Sequence, residues 1–156
     1  MCGRGVGGPM TPVSFALLER LHGHLGWLGL AVLAHPLLVL LRGRPVTRGT
    51  RLSAVIATAL VVLPYALGWA IYPTYRTHIK PALIAAQLPV ALRFESKEHL
   101  ALFTVVFAVS GLATLLVSKR PEARRLATVL IGLGWVCGVL TGVLGIWVAA
   151  HAHGGW

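Results

Sequence analysis

Four stretches of this chain are each apolar for about the 20 residues that a helix needs to cross a bilayer. They run over about 22–41, 52–72, 99–117 and 126–150. Hydrocarbon offers backbone N–H and C=O groups no partner, so each stretch must satisfy its own groups as a helix. The short alternating segments of a transmembrane barrel are absent. Composition agrees: 56% of residues are hydrophobic and 12% charged, about half the charge of a soluble domain. A solvated globule, a disordered tail and a disulfide scaffold are excluded. Cys2 and Cys137 stand far apart in unlike settings, which implies neither a disulfide framework nor a zinc module.

The expected fold is therefore an all-α membrane protein. It is an antiparallel four-helix transmembrane bundle with a long non-cytoplasmic loop between helices 2 and 3. Residues 11–156 make one four-span domain behind a flexible segment, residues 1–10, and Met10 competes with Met1 as the natural start.

The net charge of +10 would suggest nucleic acid in a soluble protein. Here the basic residues flank apolar stretches and act as topology signals, so nucleic acid is not an expected partner. The connection RGRPVTRGTR carries Arg42, Arg44, Arg48 and Arg51, and SKRPEARR carries Lys119, Arg120, Arg124 and Arg125. Those loops hold eight of the 14 basic residues. The positive-inside rule puts both in the cytoplasm. Both termini and the Pro73–Lys97 loop then lie on the opposite side of what reads as a bacterial inner membrane. That loop retains Arg76, Lys80, Arg93 and Lys97, so the asymmetry is modest.

In this topology six of the seven histidines fall on the non-cytoplasmic side. Neutral imidazole ligates haem iron, copper and zinc. His24, His99 and His151 each head an apolar helical stripe. They are the inner candidates for haem b, or for copper or zinc, with Glu98 fixing an imidazole from behind. His22, His78 and His153 are peripheral candidates. Tyr65, Trp69, Tyr72 and Arg76 form an aromatic stripe ending in a cation. Tyr72 and Arg76 are accordingly candidates for contact with a quinone or a haem propionate, although such stripes are commonly interfacial belts. His35 lies deep in the first span, before Pro36, which frees the carbonyl of residue 32. No second histidine shares its depth in one chain; a homodimer would supply one. The fourth span carries Gly134, Gly138 and Gly142, a double GxxxG whose expected partner is the first span.

The arrangement resembles four-helix haem-b membrane subunits in general, without a motif particular to one family. That implies an electron-transfer or redox-complex subunit, with quinone or other membrane redox subunits as partners beside the lipid bilayer. An alternative of equal weight binds no cofactor: the histidines are solvated interface residues and the chain is a structural or assembly subunit. A metal-handling membrane protein is the third reading. No nucleotide loop, Gly-x-Ser-x-Gly, CxxCH or zinc-protease motif occurs, which argues against an independent enzyme.

Overall fold

The computed structural model describes residues 12–152, and every regular element in that range is helical. Helix α1 is Pro12–Leu41 and α2 is Arg48–Thr74. A π-helical turn, Tyr75–Ile79, leads into the short α3, Lys80–Ala86. Helices α4, Leu88–Val117, and α5, Pro121–Ala152, complete the chain. Within these lie four segments long and apolar enough to cross a membrane: Leu17–Leu41, Arg48–Thr77, Leu88–Val117 and Pro121–His151. The chain is an integral membrane protein on that ground.

Local chemistry sets the ends. Pro12 and Pro121 each open a helix, where a missing N–H costs nothing. Helix α1 stops at Gly43, whose φ of +66° suits glycine. The Gly43 N–H bonds the Leu40 carbonyl and the Arg44 N–H bonds the Val39 carbonyl, the paired bonds of a Schellman ending. Thr47 caps α2, its hydroxyl accepting from the Thr50 N–H at 3.2 Å.

The expected loop between the second and third spans is helical almost throughout. Only Gln87, with φ −147° and ψ 66°, breaks it. Consequently α4 begins at Leu88 instead of His99, and the polar FESKE lies inside a helix. Pro81 and Pro89 each fall in the first turn of a helix, where proline is tolerated, so they mark starts and not breaks.

Neighbouring helices meet with rising numbers on one against falling numbers on the other. His22, Gly29 and His35 of α1 meet Pro64, Leu60 and Ser53 of α2. Trp27 and Leu30 meet Gly142 and Gly138 of α5. Thr104, Phe107 and Gly111 of α4 meet Gly138, Gly134 and Ile131 of α5. Lipid tails are as apolar as leucine, so close packing, more than apolar burial, holds such helices together. Small residues accordingly line the contacts. Ala54, Ala57, Ala108 and Ala127 join Leu33, Leu37 and Ile131 in a core drawn from all four long helices. The Trp135 indole N–H adds a bond from α5 to the Leu30 carbonyl of α1 at 3.1 Å. Gly134 packs on Ala108, Phe107 and Thr104 of α4, so the expected pairing of the glycine face with α1 holds for Gly142 and is shared at Gly138.

Candidate functional site

The bundle end opposite the two basic loops gathers charged and aromatic side chains from several elements. Tyr75, buried in the π-helical turn, stacks on Phe94 of α4 with ring centroids 4.1 Å apart. The ion pair between Lys80 Nζ and Glu95 Oε1, at 2.6 Å, ties α3 to α4. Leu83 packs there with Val90, Ala91 and Val148. The Arg93 guanidinium lies 3.9 Å from the ring centroid of Trp147 on α5, and Trp147 also stacks on His151. A π-helical turn widens the helix by one residue per turn, and such turns occur often at functional sites.

Lys97 turns inward from α4. Its ammonium lies 4.9 Å from the Phe94 ring centroid. Its stem passes Gly145 of α5 at ordinary van der Waals range: a Cβ there would lie 3.8 Å from its Cδ and its Nζ. His22 lies against α2. A Cβ on Gly68 would lie 3.3 Å from the imidazole, and Nδ1 is 2.7 Å from the Pro64 carbonyl. A carbonyl only accepts, so Nδ1 carries the proton in that bond. His22, expected at the periphery, is thus held between α1 and α2.

The inner candidates sit otherwise. His24, His99 and His151 are all exposed. Each Nδ1 is 2.8 Å from a carbonyl one turn back on its own helix, that of Arg20, Glu95 and Trp147 respectively. Among the described residues, no three of histidine, cysteine and glutamate lie where they could hold a metal ion together. The copper or zinc centre expected of His24, His99 and His151 has no such cluster to rest on. Side chains of α1 pack closely on the glycine face of α5. A Cβ on Gly142 would lie 2.7 Å from Trp27, and one on Gly138 would run into Leu30.

Glu98, expected to orient an imidazole, makes no ion pair within 4.0 Å among the described residues; Glu95 pairs instead, with Lys80. Tyr72 lies between Trp69 and Tyr75, at 6.2 Å and 6.3 Å between centroids, and Arg76 is exposed. Trp69, at 64% exposure, faces outward as an interfacial aromatic does. His78 belongs to the π-helical turn, but its side chain, like all of His153, lies outside the described residues. His35 is exposed on the bundle surface, its Nδ1 2.8 Å from Ser53 Oγ of α2.

Sequence reasoning missed the contacts of Tyr75, Phe94, Lys97 and Arg93. The signal was present: Phe94, Lys97 and Glu98 are spaced for one helical face, but only if FESKE is read as helix. In comparisons with known proteins, the chain matches no family model, no curated protein and no solved structure.

Proposed function

We propose that the protein is a structural or assembly subunit of a membrane complex. In this reading it is an antiparallel four-helix transmembrane bundle that joins its partner through the α1–α2 face bearing His35 and Ser53. One observation carries the reading: this imidazole–hydroxyl pair is exposed, within two segments apolar enough to lie in the bilayer. His35 is six residues before the end of α1 at Leu41, about 9 Å along the axis. Hydrocarbon leaves the outer imidazole nitrogen without a partner, and ionisable groups at such depth ordinarily face protein or water. A polar side chain on a neighbouring transmembrane helix would complete the pair. The close packing of Trp27 and Leu30 of α1 on the α5 glycines suits a scaffold. The histidines bonded to their own helices fit solvated interface residues. In this proposal both basic loops lie in the cytoplasm of a bacterial inner membrane and both termini lie opposite.

The test is extraction of the tagged full-length chain in mild detergent after growth with added haem. The mass of the assembly and the absorption spectrum are read on the same sample. The wild type should run as an assembly larger than one chain. His35→Leu should reduce it to a single folded chain, and neither sample should carry a haem band. A wild type that runs as a single chain would sink the assembly reading. A low-spin haem spectrum lost in His24→Ala, His99→Ala or His151→Ala protein would replace it with an electron-transfer subunit.

A further inference from the structure

We infer that the basic end of the bundle binds a phosphate-bearing anion, supplied in the membrane by an anionic phospholipid, in a cleft between the α1–α2 and α4–α5 connections. The cleft has a volume of about 400 Å³, and Arg48, Arg51, Lys119 and Arg124 line it. A second cleft of about 360 Å³ shares Lys119 and Arg124 and adds Arg125. No carboxylate lines either one. Like charges this close raise one another's energy, and an anion between them reverses the sign of that interaction.

Three further features point to phosphate. Arg51 Nε is buried with no hydrogen-bond partner among the described residues, a donor lacking its acceptor. The Arg124 guanidinium donates to the Arg44 carbonyl at 2.5 Å, which ties α5 to the α1–α2 connection and holds the cation in place. Ser118 Oγ accepts from the Arg120 N–H at 3.2 Å, which leaves its own hydroxyl proton free to donate. Guanidinium groups match the geometry of phosphate oxygens, two N–H donors to two acceptors.

The surroundings select the lipid as the source. Val46 and Leu115 line the same cleft. Val117, 88% exposed, ends α4 directly before Ser118 and Lys119, and Leu41 and Leu116 are exposed at the same end. The cleft thus has cations at headgroup level and apolar surface on the bilayer side. A phospholipid uses both, its phosphate the first and its acyl chain the second; a soluble phosphate uses only the first. Basic pockets between transmembrane helices are suited to anionic headgroups.

The test uses the full-length chain, stripped of lipid in a zwitterionic detergent. Phosphatidylglycerol, phosphatidylcholine and inorganic phosphate are added separately, with bound ligand read by native mass spectrometry and Tm by thermal melting. Phosphatidylglycerol should bind and raise Tm, while phosphatidylcholine should do neither. Lys119→Gln should weaken phosphatidylglycerol binding about fivefold, the equivalent of about 1 kcal/mol per basic residue. Arg51→Gln should weaken it at least as much. Arg42→Gln removes the same charge from outside the cleft and should leave binding within about twofold, because exposed charges are screened. Arg124→Gln also cuts the bond to Arg44, so Lys119→Gln is the variant that decides. Equal binding of phosphatidylcholine, or equal loss in Arg42→Gln and Lys119→Gln, would overturn the site in favour of diffuse surface charge. Inorganic phosphate acting as strongly as phosphatidylglycerol would uphold the phosphate site and overturn the lipid source.

Discussion

Gly23 and Gly29 share helix α1 and meet opposite surroundings. A Cβ at Gly29 would lie 2.7 Å from the Leu60 carbonyl oxygen, whereas one at Gly23 would meet nothing within 4 Å. Pro64 explains the crowding, since it removes the N–H that the Leu60 carbonyl would have accepted within α2. Gly29→Ala should therefore destabilise the bundle by about 1–3 kcal/mol, as overpacking does. Gly23→Ala should stabilise it by about 0.5–1 kcal/mol through helix propensity. Melting both variants in detergent checks the pair, and the opposite order would mean that α1 and α2 do not touch at Gly29. The Lys80–Glu95 pair gives a pH dependence. Its hydrogen bond holds the Lys80 ammonium above the ordinary lysine pKa of 10.5. Folding thus favours the charged lysine. That contribution is whole below the ordinary value and fades as pH rises through the raised one. The pair is half-exposed and partly screened by solvent, so the effect is small. The Tm difference between wild type and Glu95→Gln should shrink as melts are taken from neutral to strongly alkaline pH. A constant difference would trace it to something other than the ion pair.

At the α1–α2 turn the apolar stretch placed the end of α1 at Leu41, whereas α2 starts at Arg48, before the expected 52. Gly43 and Thr47 bracket the α1–α2 turn with a glycine at positive φ and a hydroxyl cap. Thr47→Ala should cost about 1 kcal/mol, and Thr47→Ser should restore most of it, measured as detergent Tm. Equal melting of the two variants would remove the hydroxyl from the account. The stretch between the second and third spans was not legible in the same way. Its prolines and its charged run FESKE look like breaks in sequence. Pro81 and Pro89 instead sit in first turns, and the charges lie along α4, where Glu95 pairs with Lys80 and Lys97 lies over Phe94. Helices here run beyond their apolar stretches because their polar turns find partners on α3 and α5.

At the scale of the molecule, the two basic loops share one end, joined by Arg124 and the Arg44 carbonyl. Cysteines placed at Pro45 and Glu122, both exposed, should therefore label from the same side of the membrane in a Cys2→Ser, Cys137→Ala background. In the proposed orientation that side is the cytoplasm, so an impermeant reagent added to intact cells should reach neither. Labelling of one alone would contradict the shared end; labelling of both would reverse the orientation.

Residue order alone carried the number of long helices, their membrane character and the two basic turns. Each of these depends on local quantities: apolar length, backbone satisfaction within one segment, and charge beside a span. The site depended on rotation about helix axes, which no local pattern states. Whether His22 or His24 turns inward follows from which α2 residue is glycine at the same depth; Gly68 admits His22, while His24 bonds its own helix. Lys97 passes beside Gly145 and lies over Phe94, and His99 faces outward two residues later. Alternating span direction put six of the seven histidines on one side in the expected topology. Helix packing, through Gly68 on α2, separated His22, held between helices, from His24, His99 and His151, left on the surface.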